Sequence, residues 1–377
     1  MILNKHALLS PTPGTSRELI SLHYGPTGSG RKVVIQASLH ADEVPGLLVA
    51  HHLRRRLGEL EARGALLGEV VLVPFANPVG LSQWVLQSHA GRFDLASGEN
   101  FNRLYADLAP RAAEILEPRV VRGGAGVDVA TARAALLQAC AELKVTTELQ
   151  SLRRTLLGLA IDADIVLDLH CDNEGVLHLY TLPALWPDVE PLARLTGSRA
   201  VLMADVSGDE PFDEACSAVW QRLADALSQR TGQRVEFPSA CVAVTVELRG
   251  ERDVSHEYAQ ADAEALLQYL ACRGFIAGAP QQLPALACEP TPLAGSIPVL
   301  APHGGVLVHA RPLGASVRRG ELVAEIVDPS SGDVTPLESP ADGVLYAREA
   351  RRFVAAGTRV CRVAGREPVR TGKLLSD

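Results

Sequence analysis

The stretch Val33-Val34-Ile35-Gln36-Ala37-Ser38-Leu39-His40-Ala41-Asp42-Glu43-Val44-Pro45-Gly46 constrains the fold of this chain more than any other. Val33 to Leu39 is short and mostly apolar, the pattern of a strand buried on both faces. Pro45 and Gly46 open a run rich in Ala, Leu and Val, Leu47 to Leu57, that reads as a helix. Proline suits the first helical turn, where its fixed φ is already right and its missing N–H is not needed. His40 and Glu43 therefore fall at the carboxyl end of a buried strand, on the turn into a helix, where open α/β sheets place their ligand sites. An imidazole and a carboxylate so spaced on one turn can both reach a single metal ion, and zinc takes such ligands at about 2.0–2.2 Å.

The rest of the first three-quarters repeats this alternation. Glu18 to Tyr24 reads as a strand, followed by the loop Gly25 to Gly30. Glu69 to Phe75 reads as a second buried strand, closed by Asn77-Pro78-Val79-Gly80, a turn in which proline fixes φ and glycine permits a positive one. Leu81 to Tyr105 has no regular period and carries Arg92, Asn100, Asn102 and Arg103. Residues 106–160 turn to Ala, Leu, Glu and Arg at helical spacing, broken at Gly123-Gly124-Ala125-Gly126; this reads as an insertion of two or three helices with a packing role. Strands are expected at Ile161 to His170, Gly175 to Leu182, Val201 to Ala204 and Cys241 to Leu248. Helices are expected at Phe212 to Gly232 and Tyr258 to Cys272. Strands alternating with helices predict an α/β domain over residues 1–277, a mixed, mostly parallel sheet flanked by helices.

Gly278 to Pro284 reads as a linker, and residues 285–370 change to short β runs and glycine turns with an internal repeat. Gly305-Val-Leu-Val-His-Ala310 parallels Gly343-Val-Leu-Tyr-Ala-Arg348, and Gly320 to Ile326 parallels Gly357 to Val363. Two such units predict a small pseudo-twofold all-β sandwich, which resembles biotinyl and lipoyl carrier domains. Those carriers need a hairpin lysine, and the lysines of this chain are Lys5, Lys32, Lys144 and Lys373. The unit is therefore no carrier, and a structural, lid or homo-oligomerising role is expected of it.

Composition excludes several classes. With 47% hydrophobic and 21% charged residues the chain is an ordinary globular one, and a formal charge of −8 argues against a nucleic-acid-binding face. Seven scattered cysteines without a CxxC pair fit a reducing compartment, hence a cytoplasmic protein. No apolar run approaches the ~18 residues of a membrane span, and Met1 to Gly14 lacks the apolar core of a signal peptide.

A metal hydrolase built on His40 and Glu43 needs a third ligand, an open coordination position and a base. His170 ends its strand in Asp168-Leu169-His170 much as His40 does, and Asp168, on the same strand face, can orient its imidazole. Glu247, near the end of its own strand, is placed to act as general base. Arg92 and Arg103 are fixed cations suited to a carbonyl oxygen or a substrate carboxylate, and Asn102 can share the latter. In this order the motifs HxxE, Arg…Asn-Arg, Asp-Leu-His and Val-Glu-Leu resemble the succinylglutamate desuccinylase/aspartoacylase family, zinc amidohydrolases of the metallocarboxypeptidase fold. The resemblance covers about residues 30–275, and the C-terminal β unit looks like that of longer family members. It implies one zinc per chain held by His40, Glu43 and His170, with Glu247 as base. It further implies that Asn102 and Arg103 hold the substrate carboxylate and that Arg92 polarises the carbonyl, on a small N-acyl amino acid. Two departures stand out: a longer segment between Arg103 and Asp168, and a loose spacing from Arg92 to Asn102. A metallocarboxypeptidase acting on peptide C-termini and a non-catalytic metal-binding assembly protein are the alternatives. His51, His52, His89, His178, His256, His303 and His309 read as packing or surface residues, with His89 and His178 bordering the pocket at most. Cys171 reads as core packing, and Arg54-Arg55-Arg56 as a solvated helix face.

Overall fold

The valine-rich segments come together as one nine-stranded sheet in a computed structural model of the chain, which describes residues 1–123, 126–278 and 282–375. Its strands are β1 Ile2–Ala7, β2 Glu18–Tyr24, β3 Lys32–Ala37, β4 Glu69–Val73, β5 Ile165–Asp172, β6 His178–Thr181, β7 Ala200–Met203, β8 Val242–Gly250 and β9 Thr291–Pro292. They lie in the order β1-β2-β4-β3-β5-β8-β6-β7-β9. The pairs β3–β4, β3–β5, β5–β8, β6–β7 and β7–β9 are parallel, and β1–β2, β2–β4 and β6–β8 are antiparallel. The sheet is thus mixed and mostly parallel, with the near-continuously apolar β3, β5 and β8 at its centre.

Helices cover both faces, because each central strand buries both sets of its alternating side chains. On one face α1, Pro45–Ala62, packs beside the helix His256–Cys272 through Val49, Leu53, Leu57, Leu266 and Leu270. On the other the insertion is three helices, Ala109–Gly123, Val129–Ala141 and Glu148–Ala160. Leu116, Leu136, Leu152 and Leu156 join Val34 and Val166 there in a second apolar cluster. Phe212 to Gly232 is two helices, Phe212–Ser217 and Val219–Thr231, hinged at Ala218. The glycine break at 123–126 and the linker at 278–284 lie in part outside the described residues.

Residues 296–365 form two antiparallel sheets around a common apolar cluster that includes Leu307, Val323, Ile326, Leu345, Val360 and Val363. The repeat is visible in the pairing: Gly305–His309 pairs with Leu322–Val327 in one sheet, and Gly343–Arg348 with Arg359–Gly365 in the other. This unit abuts the large sheet. Glu174–Gly175, just after β5, pairs with Gly343–Arg348, and Glu174 meets Arg348 at 2.6 Å and Arg352 at 2.7 Å.

Candidate active site

β3 ends two residues short of the expected Leu39, because Ser38 takes a left-handed φ of 57°. That conformation is costly for a residue with a side chain. Here it is held from both sides: Ser38 N–H donates to Leu169 O, and Ser38 Oγ donates to Glu43 O at 2.7 Å. Buried Asn77 caps the turn of Asn77-Pro78, accepts from Gly80 N–H and donates to Leu39 O at 2.9 Å. Gly91 O accepts from Ala41 N–H, and the approach is so close that a Cβ on Gly91 would lie 2.2 Å from Asp42 N. The turn carrying His40 and Glu43 is thereby fixed to β5, to the Asn77 turn and to the loop before Arg92.

His40, Glu43 and His170 converge: their ligating atoms all lie within 4.8 Å of one another, and all three residues are buried. Glu43 sits between the rings, with Oε1 2.8 Å from His40 Nδ1 and Oε2 2.7 Å from His170 Nδ1. The outer nitrogens are spoken for. His170 Nε2–H donates to Asp168 Oδ2 at 3.0 Å, and Asp168 is held by Gln36 Nε2 at 2.9 Å. His40 Nε2 lies 2.8 Å from Asn100 Oδ1, the same oxygen that accepts from Asn102 N–H at 2.8 Å. That second bond fixes which amide atom faces His40, so His40 donates from Nε2 and turns a bare Nδ1 toward Glu43.

The electrostatics agree. Burial, with Arg92 beside it, pushes His40 down to about 4, so the ring is neutral. Its Nδ1 lone pair then faces Glu43 Oε1 at 2.8 Å, and the Arg92 guanidinium, with Nη1 3.2 Å from each of the two atoms, is the cation that bridges them. Burial also opposes charge on His170 and Glu43, but Asp168 and Glu43 outweigh it for His170, raising it well above 6.5. His40 and His170 outweigh it for Glu43, holding that carboxyl well below its usual range. Two imidazole nitrogens and one carboxylate, each oriented from behind, form a donor set that can hold a metal ion.

A cavity of about 440 Å³ opens over this triad. Glu247 lines it from β8, cross-strand from His170, with Oε2 shut off from solvent and without a partner. Burial, then the negative Glu43, pushes its carboxyl up to about 8. Arg92 reaches the triad directly, donating from Nη1 to Glu43 Oε1 at 3.2 Å. Asn102 and Arg103 are buried in the wall. Asn102 Oδ1 accepts from Phe212 N–H at 2.9 Å, and Arg103 donates to Asn102 O. All seven residues singled out in the sequence thus line one cavity.

The remaining histidines do not line it. His89 stacks on Trp84, His178 is wholly buried with Nδ1–H donating to Val176 O, and His52 pairs with His256 across the α1 interface. Cys171 does line the cavity, but burial and then Glu43 push its thiol well up, which leaves it a poor nucleophile. Sequence reasoning gave no role to Asn100, although its place one residue before Phe101-Asn102 was the available signal. It also missed the wall residues Asp213, Glu214 and Glu251, and Arg359 and Arg362 from the C-terminal β unit.

Residues 29–122 match the family profile described as the succinylglutamate desuccinylase/aspartoacylase catalytic domain. A succinylglutamate desuccinylase/aspartoacylase family protein from Shewanella amazonensis SB2B is 27% identical, with 97% of this chain and 98% of that one covered at a TM-score of 0.83. In this segment and in its overall fold the chain is thus similar to the succinylglutamate desuccinylase/aspartoacylase family. A second protein so named, from Shewanella frigidimarina NCIMB 400, is 24% identical over 97% of each chain, with a TM-score of 0.83. The product-bound ectoine utilization protein EutE (DoeB) of Ruegeria pomeroyi shares the fold at 16% identity, over 96% of this chain and 95% of that one, with a TM-score of 0.66. No curated protein sequence matches the chain. Family members are hydrolases, and the cavity over a potential metal triad is consistent with a small-molecule substrate. Among the described residues no helix is long and apolar enough to cross a membrane.

Proposed function

We propose that the chain is a cytoplasmic, zinc-dependent amidohydrolase that removes the acyl group from an N-acyl amino acid. In this reading residues 1–277 form the catalytic domain, residues 285–370 the C-terminal β domain, and each chain carries one zinc. The observation that carries it is the triad itself, with Nδ1 of both rings facing one carboxylate and both Nε2 atoms committed to acceptors. His40 and His170 through Nδ1, and Glu43 through its carboxylate, would hold the ion. Zinc, when bound, supplies Lewis acidity and lowers the pKa of water from 15.7 to about 7.

The chain's own residues account for the rest. Glu247 takes a proton from the attacking water and returns it to the leaving nitrogen, a task that suits a buried carboxylate whose proton affinity is raised. Arg92, placed beside His40 and Glu43, donates to the carbonyl oxygen as it gains charge. Asn102 and Arg103 hold the carboxylate of the amino acid and so set the amide against Glu247. Walls contributed by both the large sheet and the C-terminal unit favour a small amide over a peptide chain.

A hydrolysis screen of N-acetyl, N-succinyl and N-formyl amino acids against short peptides tests this. Turnover of at least one N-acyl amino acid, lost on chelation and restored by zinc, is the expected result. Faster release of C-terminal residues from peptides would replace it with the carboxypeptidase reading.

A further inference from the structure

Backbone strain gathers at one edge of the cavity. Of the seven non-glycine residues with a left-handed φ among the described residues, three meet there: Leu104 at 58°, Asp209 at 59° and Glu210 at 48°. Their two segments are zipped together. Leu104 N–H donates to Asp209 O at 2.7 Å, Tyr105 N–H donates to Glu210 O at 3.1 Å, and Phe212 N–H donates back to Asn102 Oδ1 at 2.9 Å. Strained backbone of this kind persists only where its surroundings hold it. The flanks of the loop are anchored inward, Ser207 N–H to Glu214 Oε1 at 2.7 Å and Glu210 to Arg222 at 2.6 Å.

What covers Gly208 and Asp209 is the segment that follows the strand Arg359–Gly365. Residues 366–375 form no helix or strand. Val369 and Arg370 N–H donate to Ala294 O at 3.2 and 3.0 Å, and the chain then crosses to the loop. There Leu374 N–H donates to Ser207 O at 2.8 Å, and Lys373 pairs with Asp209. The approach is close: a Cβ on Gly208 would lie 3.1 Å from Lys373 Cγ and 3.3 Å from its Cα. Half-buried Leu374 and Leu375 pack on the apolar cluster of Tyr180, Leu202, Leu293 and Tyr346. Leu375 also lines the cavity, as do Ser207, Pro211, Asn102 and Arg103. This hold is light, because the side chains of Lys373 and Asp209 are 38% and 37% exposed and such pairs contribute little. A lightly held segment on a strained loop is suited to two states, one docked and one released.

We propose that residues 366–375 are a strap over the cavity that latches to Ser207 and Asp209 and thereby holds the Asn102–Tyr105 turn, and that its release opens the cavity and loosens this turn. The inference rests on the deacylase reading only in taking that turn as the grip on the substrate carboxylate. Strap and latch stand without it.

Amide hydrogen exchange at Leu104 and Tyr105 reads the latch directly, since both N–H groups are bonded to the loop. In a variant ending at Arg366 these amides should exchange at least tenfold faster than in the full chain, while Val166 and Leu169 in β5 stay unchanged. Asp209→Asn keeps a residue that tolerates the left-handed backbone but removes the charge. It should speed exchange about two- to fivefold, and Lys373→Arg should match wild type. Should truncation also speed the β5 amides, Asp209→Asn decides. Unchanged exchange at Leu104 and Tyr105 would overturn the proposal. On whichever N-acyl amino acid the zinc-loaded protein turns over, the truncated form should show KM raised at least fivefold with kcat within threefold. An unchanged KM despite faster exchange would overturn the link between strap and grip. If no N-acyl amino acid is turned over, the deacylase reading falls, and exchange alone decides the strap.

Discussion

The choice of Nδ1 as the metal-facing atom of His40 depends on one amide oxygen, and Asn100→Ala removes it. In the native site Asn100 Oδ1 takes two hydrogen bonds, from His40 Nε2–H and from Asn102 N–H, both at 2.8 Å. Both donors belong to residues no more than 5% exposed. Stranding a buried donor costs about 1–3 kcal/mol, so two bring about 2–6 kcal/mol, with the lower half expected because water can enter the space vacated by the amide. The effect on metal should be separable from that loss. Without its acceptor the ring can move its proton to Nδ1, which then donates to Glu43 and competes with the ion. Loss of such an orienting partner typically weakens metal binding by about 10–100-fold. Urea unfolding of the metal-free protein reads the first effect, and zinc titration against a chromophoric chelator reads the second. A variant that is destabilised yet binds zinc within twofold of wild type would refute the tautomer argument and leave Asn100 as loop packing.

Other perturbations reach different parts of the site. Glu247→Gln should lower kcat by about 10²–10⁴-fold while zinc content stays at one per chain; near-normal turnover would remove Glu247 from the chemistry. Gly91→Ala would press a methyl group to 2.2 Å from Asp42 N, and overpacking of this kind costs about 1–3 kcal/mol; a thermal scan and zinc titration should show both lower stability and weaker metal binding, and an unchanged pair would contradict the contact. Burial pushes His178 down from 6.5 to about 4. The unfolded chain therefore takes up this proton first as the pH falls, and stability present above pH 6.5 drains away toward pH 4. At ~1.36 kcal/mol per unit this amounts to about 3 kcal/mol. His178→Asn should lose that much less than wild type over the same window in urea unfolding, and parallel losses would refute the assignment.

The parts of this molecule legible in its sequence share a physical cause. β3, β4, β5 and β8 are buried on both faces, so hydrophobicity alone marks them, and His40, His170 and Glu247 stand out as polar residues at or near their ends. β1 was not expected, because it is an edge strand that leaves Ile2 and Leu3 about half exposed, at 55% and 45%. The hairpin of Trp84–Val85 and Ser88–His89 was also unforeseen. Its turn places Leu86 and Gln87 at positive φ, and neither is the glycine or asparagine that normally announces such a turn. Arg359 and Arg362 were unreadable for a further reason. They reach the cavity because the C-terminal unit docks on the large sheet, through the pairing of Glu174–Gly175 with Gly343–Arg348 among other contacts, a docking between segments far apart in the chain that no local pattern encodes.

The two rings of the triad are held by unlike partners, and the difference bears on how the site treats its ion. His170 is backed by the carboxylate of Asp168, whereas His40 is backed by the neutral amide of Asn100. Glu43, Asp168 and Glu247 already bring three carboxylates to this end of the sheet, and Asp42, Asp172 and Glu251 line the same cavity. A further carboxylate at position 100 would keep the acceptor for His40 but add negative charge beside a cation whose value to the reaction is its pull on electrons. Asn100→Asp should therefore bind zinc at least as tightly as wild type and yet turn over more slowly, because a more basic His40 donates more electron density to the ion. The contrast with Asn100→Ala is the informative part: the alanine variant loses metal, the aspartate variant keeps metal and loses rate. Measured side by side on the same N-acyl amino acid, equal rates for Asn100→Asp and wild type would show that the amide serves only as an acceptor and that its neutrality has no bearing on turnover.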